Sequence, residues 1–259
     1  MDPVIIRNTV IGTGKPKICV PIVQRTEEEI LAAAKSFLSL PIDVVEWRVD
    51  WFDEVSDCKQ VVKTAGKLRL ILGDIPLLFT FRTKEEGGNK SISDDSYLEL
   101  NKTICESGFI DLVDVELFKG DALVTSLIET AHQFHVKVIA SNHDFSKTPP
   151  EEELVKRLCH MQQLDADLPK IAVMPQSRKD VLTLLSATLT MRERYADRPI
   201  ITMSMAGDGV ISRLAGEVFG SALTFGSVGQ ASAPGQIPVE KLTQVLDIVH
   251  ESYLPPFNE

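Results

Sequence analysis

The 259-residue chain is 44% apolar and 25% charged, with a formal net charge of −10. Its length fits one large α/β domain or two small ones, and its apolar share suffices for a continuous core. An acidic balance without a long basic run argues against a nucleic-acid surface and against an anionic membrane surface. It leaves room for a small anionic substrate held by a few arginines in a cleft.

Cys19, Cys58, Cys105 and Cys159 are widely spaced and form no CxxC pair, which argues against a zinc cluster or a redox dithiol. The first residues, Met1-Asp2-Pro3-Val4-Ile5-Ile6-Arg7, lack the basic-then-apolar pattern of a secretory leader. No apolar run approaches the roughly 18 residues of a membrane span. The expectation is a cytoplasmic protein with free thiols and no membrane contact.

In chain order, two short strands come first, Val4–Val10 and Val10–Gly14, with turn signals at Asn8 and at Gly12-Thr13-Gly14. A strand over Lys17–Ile22 is followed by a helix over Glu27–Phe37, whose first turn is acidic. Further strand–helix pairs are predicted at Val44–Val49 with Cys58–Leu72, Pro76–Arg82 with Tyr97–Ser107, and Leu112–Leu117 with Ala122–Phe134. The pattern continues with Lys137–His143 and Pro150–Leu164, Pro169–Met174 and Arg178–Tyr195, Pro199–Ala206 and Val210–Phe219, and Ala222–Val228 and Val239–Tyr253. About eight strand–helix units at intervals of roughly 30 residues fit an α/β fold of the (β/α)8 TIM-barrel type. A doubly wound open sheet usually has fewer strands and a Gly-rich first turn; here Val23-Gln24-Arg25-Thr26 follows the first long strand. No linker interrupts the alternation. Residues 1–259 are therefore expected to form one barrel domain, with 1–16 as an N-terminal piece ahead of the first unit and 228–238 as a loop able to cover a substrate.

Lys170 lies in the strand Leu168-Pro169-Lys170-Ile171-Ala172-Val173-Met174, which is otherwise apolar. A buried ammonium costs several kcal/mol unless it is paired or loses its proton. A neutral lysine is a nucleophile that forms imines with ketones and aldehydes. For an isolated strand, a lysine that snorkels to solvent is the simpler account. The other strand ends change that weighting, because in a barrel they all converge on one face.

Strand two brings Glu46, Arg48 and Asp50 to one side by its period of two. Strand three brings Thr80 and Arg82, then Glu86-Gly87-Gly88. Strand four holds Asp114 and Glu116, strand five ends Ser141-Asn142-His143-Asp144, and Arg213 follows strand seven. Singly, Glu46–Arg48 reads as a salt bridge, His143–Asp144 as a strand-end pair and Glu86 as a turn residue. Together they set a lysine, a histidine, carboxylates and arginines at one barrel end.

That set suits imine-mediated elimination or carbon–carbon cleavage of a small hydroxylated keto acid. Lys170 would form the imine. His143 would move protons, oriented by Glu86. Arg213 would grip a carboxylate, and Glu46, Arg48 and Arg82 would fix hydroxyls. Met203, Met205 and Phe225 would wall the pocket. No metal is needed, and His132 and His135 lie on another element as surface residues.

These residues resemble type I 3-dehydroquinate dehydratase over nearly the whole chain. The resemblance rests on Glu46-Trp47-Arg48-Val49-Asp50, Phe79-Thr80-Phe81-Arg82, Glu86-Gly87-Gly88, Ser141-Asn142-His143-Asp144-Phe145, Pro169–Pro175, Ile200–Met205 and Ser232-Ala233-Pro234-Gly235-Gln236. It implies a barrel closed at its bottom by an N-terminal hairpin. The implied reaction is dehydration of 3-dehydroquinate to 3-dehydroshikimate in the shikimate pathway, without a cofactor, in a homodimer. Lys170 matches the imine-forming lysine, His143 the general acid/base, Glu86 its carboxylate partner and Arg213 the carboxylate-binding arginine. Glu46, Arg48, Arg82, Ser232 and Gln236 match substrate-binding positions. The sequence departs from the family at Pro21, where relatives often carry serine; proline offers neither hydroxyl nor N–H. A class I aldolase or transaldolase-like barrel is the alternative, but it usually needs a phosphate site.

Overall fold

The computed structural model describes residues 2–229 and 232–253, without the side chain of Tyr253. An antiparallel hairpin of β1 (Val4–Ile6) and β2 (Thr9–Ile11) precedes the main sheet. That sheet follows sequence order through β3 (Lys17–Ile22), β4 (Val44–Arg48), β5 (Leu77–Thr80), β6 (Leu112–Glu116), β7 (Lys137–Asp144), β8 (Leu168–Val173) and β9 (Ile201–Ser204). β10 (Leu223–Ser227) pairs in parallel with β3, and the short β11 (Ile237–Pro238) adds to its edge. The seam between β9 and β10 is joined by a parallel bridge, Ile200 to Ser221, and by the Ala222 N–H donating to the Ile200 carbonyl at 2.8 Å. The result is the expected barrel, with α1 (Glu27–Phe37), α2 (Cys58–Leu72), α3 (Asp94–Glu106), α4 (Asp121–Gln133), α5 (Glu151–Gln163), α6 (Arg178–Arg194) and α9 (Val239–Tyr253) following its strands.

Two apolar layers hold the barrel. Between strands and helices lie the outward residues of each strand, such as Val45, Trp47, Phe79, Val113, Val115, Val138 and Ala140. Inside, a separate cluster has a floor of Cys19, Val44, Leu78, Leu112, Ile139, Leu168, Ile201 and Leu223, one residue from each of β3 to β10, with Ala172, Met203 and Phe225 above it. Val4, Ile6 and Ile11 of the hairpin pack into this cluster, so the hairpin plugs the end at which the strands begin. Two residues further along each strand, the side chains again point inward. There β4 to β8 change from apolar to polar, at Glu46, Thr80, Asp114, Ser141 and Lys170, while β9 and β10 carry Met203 and Phe225.

Several boundaries differ from the sequence expectation. The hairpin strands are three residues each rather than Val4–Val10 and Val10–Gly14. α3 starts earlier than Tyr97, because the Ser93 hydroxyl caps it by accepting from Ser96 N at 3.2 Å ahead of an acidic first turn. The expected single helix over Val210–Phe219 is two, α7 (Val210–Leu214) and α8 (Gly216–Phe219), broken at Ala215. Gly216 fits closely there: a Cβ would lie 2.7 Å from the Ser221 carbonyl oxygen. The covering loop 228–238 contains β11, and its residues 230 and 231, like residues 1 and 254–259 of the single-domain expectation, lie outside the described residues. Among the described residues no helix is long and apolar enough to cross a membrane.

Candidate active site

At the mouth of the barrel, a pocket is lined by Glu46, Arg48, Arg82, Glu86, His143 and Lys170. Met203, Met205, Phe225, Arg213, Ser232 and Gln236 complete it, with Gly87, Phe145, Ala172 and Ala233. All twelve side chains given a site role from the sequence therefore line one cavity. Phe145, which the sequence showed only as the end of a motif without a role, joins the wall. No residue of β3 reaches the pocket among the described residues, so Pro21 contributes no lining.

Lys170 sits two residues above the apolar plug and is 3% exposed. Of the two ways to accommodate a buried ammonium, the structure supplies pairing. Its Nζ lies 3.2 Å from Asp114 Oδ2 and 4.5 Å from the centroid of the Phe225 ring. Asp114 is anchored in turn: Oδ1 accepts from Arg82 Nη2 at 2.7 Å and from Ser141 Oγ at 2.6 Å. Burial pushes the Asp114 carboxyl upward, but the Arg82 and Lys170 cations and the Ser141 hydroxyl outweigh it and hold it below the usual carboxylate range. The sequence placed Asp114 at the right barrel end without assigning it a partner. Its signal was an acid in an apolar strand, the same signal that marked Lys170.

Glu86 is set by its loop. It ends a 3-10 turn, Lys84–Glu86, that follows β5. Gly87, at φ +82°, turns the chain in the left-handed region. At Gly88 a Cβ would come within 1.8 Å of the Arg82 carbonyl oxygen, so only glycine lets the loop fold back there. Glu116 clamps the other end of the loop, with Oε1 accepting from Thr83 N at 2.8 Å and Oε2 from Thr83 Oγ1 at 2.7 Å. This leaves Glu86 Oε2 3.0 Å from His143 Nδ1, 2.9 Å from the His143 backbone N and 3.4 Å from Arg82 Nη1. A carboxylate in that position selects the Nδ1–H tautomer and leaves Nε2 with a free lone pair. Burial raises Glu86 to about 7; Arg82 and the Asn142 amide pull it down, while Glu116 and Asp114 push it up. Burial and then the Arg82, Lys170 and Arg48 cations push His143 well below its ordinary value. The imidazole is therefore neutral.

The three pocket arginines differ in their compensation. Arg48 forks onto Asp50, with Nε–Oδ1 and Nη2–Oδ2 both at 2.8 Å. Arg82 lies among Asp114, Glu116 and Glu86, which together outweigh the effect of burial and raise it well above its usual value. Arg213 meets no carboxylate among the described residues. α7 delivers it: Ser212 Oγ accepts from Ser204 N at 2.8 Å, tying the helix to the end of β9. The Arg213 guanidinium is 1% exposed; Nη2 donates to the Pro234 carbonyl at 3.1 Å, Nη1 lies 3.7 Å from Met203 Sδ, and Nε has no partner. Burial lowers it to about 10, so it remains a cation near neutral pH. A buried cation without a counterion is an anion site waiting to be filled.

Thr80 Oγ1 donates to Glu46 Oε1 at 2.9 Å, fixing that carboxylate at the pocket floor. Above the pocket, Ser232 N donates to Gln236 Oε1 and Gln236 Nε2 donates to Ser232 Oγ, both at 2.9 Å. The two loop residues are thus held as a unit. His132 lies away from this set, half-buried and 2.9 Å from Asp167, and His135 is exposed. Among the described residues no group of three or more His, Cys, Asp and Glu is arranged to hold a metal.

The profile of the type I 3-dehydroquinase family matches residues 18–253. A 3-dehydroquinate dehydratase from Clostridioides difficile is 56% identical over 247 residues, covering 95% of this chain and 97% of its own. One from Listeria welshimeri is 56% identical over 253 residues, covering 98% and 100%. Among solved structures, a type I 3-dehydroquinate dehydratase from Clostridium difficile, with covalent modified comenic acid, superposes with a TM-score of 0.95 at 56% identity, covering 97% of this chain and 100% of that one. A 3-dehydroquinate dehydratase from Geobacillus kaustophilus gives 0.94 at 40% identity, covering 98% of each chain. A 3-hexulose-6-phosphate synthase, at 15% identity and a TM-score of 0.58, covering 89% of this chain and 98% of its own, shares the fold alone.

Proposed function

Because this chain belongs to the type I 3-dehydroquinase family, we propose that it is a hydro-lyase that removes water from 3-dehydroquinate through an imine on Lys170. The observation that carries the proposal is the convergence, in one pocket, of a buried lysine, a neutral imidazole and a guanidinium that meets no carboxylate among the described residues.

Each group has a task matched to its surroundings. The substrate carboxylate supplies the anion that Arg213 lacks, and a fork onto it orients the ring. This brings the ketone over Lys170, whose Nζ is aimed by Asp114. His143 takes the ammonium proton, the neutral amine attacks the ketone, and the same proton returns to the carbinolamine hydroxyl, which leaves as water; the resulting iminium acidifies the neighbouring carbon. His143 Nε2 then takes a proton from carbon 2 and returns one to the leaving hydroxyl of carbon 1. Glu86 holds the imidazole in register and stabilises its cationic form. Glu46, Arg48 and Arg82 bind substrate hydroxyls. Ser232 and Gln236 cover the substrate, and Met203, Met205 and Phe225 exclude water below it. Hydrolysis of the imine releases 3-dehydroshikimate and frees the lysine. The family membership supports a place in the shikimate pathway of aromatic amino acid biosynthesis, as a cytoplasmic homodimer.

The product carries a carbon–carbon double bond conjugated to its ketone, so turnover of 3-dehydroquinate should appear as growing ultraviolet absorption of an enone. No absorbance change with this substrate would refute the assignment.

The pH profile offers a second check. A proton added to the Glu86–His143 pair weakens Nε2 as a base: it either makes an imidazolium or neutralises Glu86, which then no longer stabilises the imidazolium formed in the transfer. Loss of the base thus follows titration of the pair. With Glu86 raised to about 7, kcat/KM should fall on the acid side with a midpoint near that value. A profile that stays level to about pH 5 would contradict the proton-transfer role of this pair.

A further inference from the structure

Asn142 points away from the pocket. β7 turns Ile139, Ser141 and His143 into the barrel, and Val138 and Ala140 outward into the apolar layer beneath the helices. Asn142 belongs to the outward set and is 2% exposed. A buried amide in such a layer is tolerated when both its ends are paired. Here Nδ2 donates to Glu86 Oε1 at 3.2 Å, and Oδ1 accepts from Arg157 Nη1 at 2.8 Å. Arg157, on α5, is itself held by Glu153 at 2.7 Å and by the Phe118 ring, 5.1 Å from its centroid.

An amide can present either end to a neighbour, whereas a guanidinium can only donate. Arg157 therefore draws the Asn142 oxygen to itself and turns the amino group toward Glu86. In the flipped orientation the amide oxygen would face the carboxylate. We propose that Arg157 and Asn142 form a positioning relay. From outside the barrel it fixes the Glu86 carboxylate and, through it, the Nδ1–H tautomer of His143. The inference rests on the proton-transfer role proposed above for His143.

The charged groups facing Glu86 are Arg82 from the segment after β5, Asp114 and Glu116 from β6, and His143 from β7. Lys170 and Arg48 face the imidazole from β8 and β4. The Asn142 N–H stabilises the ionised carboxylate. Its removal raises the proton affinity of Glu86 and carries the acid limb of activity to higher pH. Asn142 does not line the pocket, so substrate affinity is not expected to change.

The test compares wild type with Asn142→Ala, Arg157→Met and Arg157→Lys in kcat, KM and pH profile, using 3-dehydroquinate. Asn142→Ala is expected to lower kcat about 10- to 100-fold and Arg157→Met about 10-fold. KM should be unchanged in both and the acid limb displaced upward. Arg157→Lys should recover most of kcat. If Asn142→Ala fails to fold, the Arg157 variants decide, because this side chain sits on an outer helix and is 16% exposed. Variants indistinguishable from an active wild type would overturn the relay alone. So would a fall in kcat with an unmoved acid limb and no recovery by lysine, which marks a packing role. An inactive wild type would overturn the proposed function itself.

Discussion

Lys170→Met is expected to lower kcat by about 10⁴-fold or more, because no other pocket group can supply an imine. Methionine keeps the length and apolar stem beside Phe225 and removes only the amine. Asp114 loses one partner of three and keeps Arg82 and Ser141, so the fold should survive, as circular dichroism would show. Lys170→Arg separates charge from nucleophilicity. It restores a cation beside Asp114 but forms no imine, and it should be as inactive as the methionine variant. Recovery of turnover by arginine would make the residue an electrostatic anchor instead.

Arg213→Met is expected to move function and stability in opposite directions. The guanidinium is buried, is lowered to about 10 by that burial, and meets no carboxylate among the described residues. Removing it takes away the grip on the substrate carboxylate, raising KM about 100-fold, equivalent to about 3 kcal/mol. It also removes an uncompensated buried charge, so the urea midpoint should hold or rise, by about 1–2 kcal/mol of stability. Arg48 and Arg82 provide the contrast, since each is already neutralised by carboxylates. Their loss strands buried acids and should lower stability. An Arg213→Met variant with unchanged KM would remove the anion site from this position.

The barrel was legible because its signals are local. Strand–helix alternation, the acidic turn at Glu27–Glu29 and polar residues at alternate positions of apolar strands survive without knowledge of tertiary contacts. Strand order brought Lys170, His143, Glu86 and Arg213 to one end for the same reason. What escaped was pairing across strands. Asp114 and Lys170 are 56 positions apart, and they become neighbours only where β6 and β8 flank β7 in the curled sheet. Asn142 was visible inside a motif, yet its outward direction hides its use until Arg157 of α5 reaches it. The difference in compensation among the three arginines is likewise invisible in a linear chain. Helix ends shifted where a side-chain cap, as at Ser93, or a close approach, as at Gly216, outweighed the apolar pattern.

The most direct measurement is borohydride reduction in the presence of 3-dehydroquinate, followed by proteolysis and mass spectrometry. A single reduced adduct should appear on Lys170, absent without substrate and absent from Lys170→Met. An adduct on any other lysine, or continued turnover with no trappable adduct, would contradict covalent catalysis by this amine.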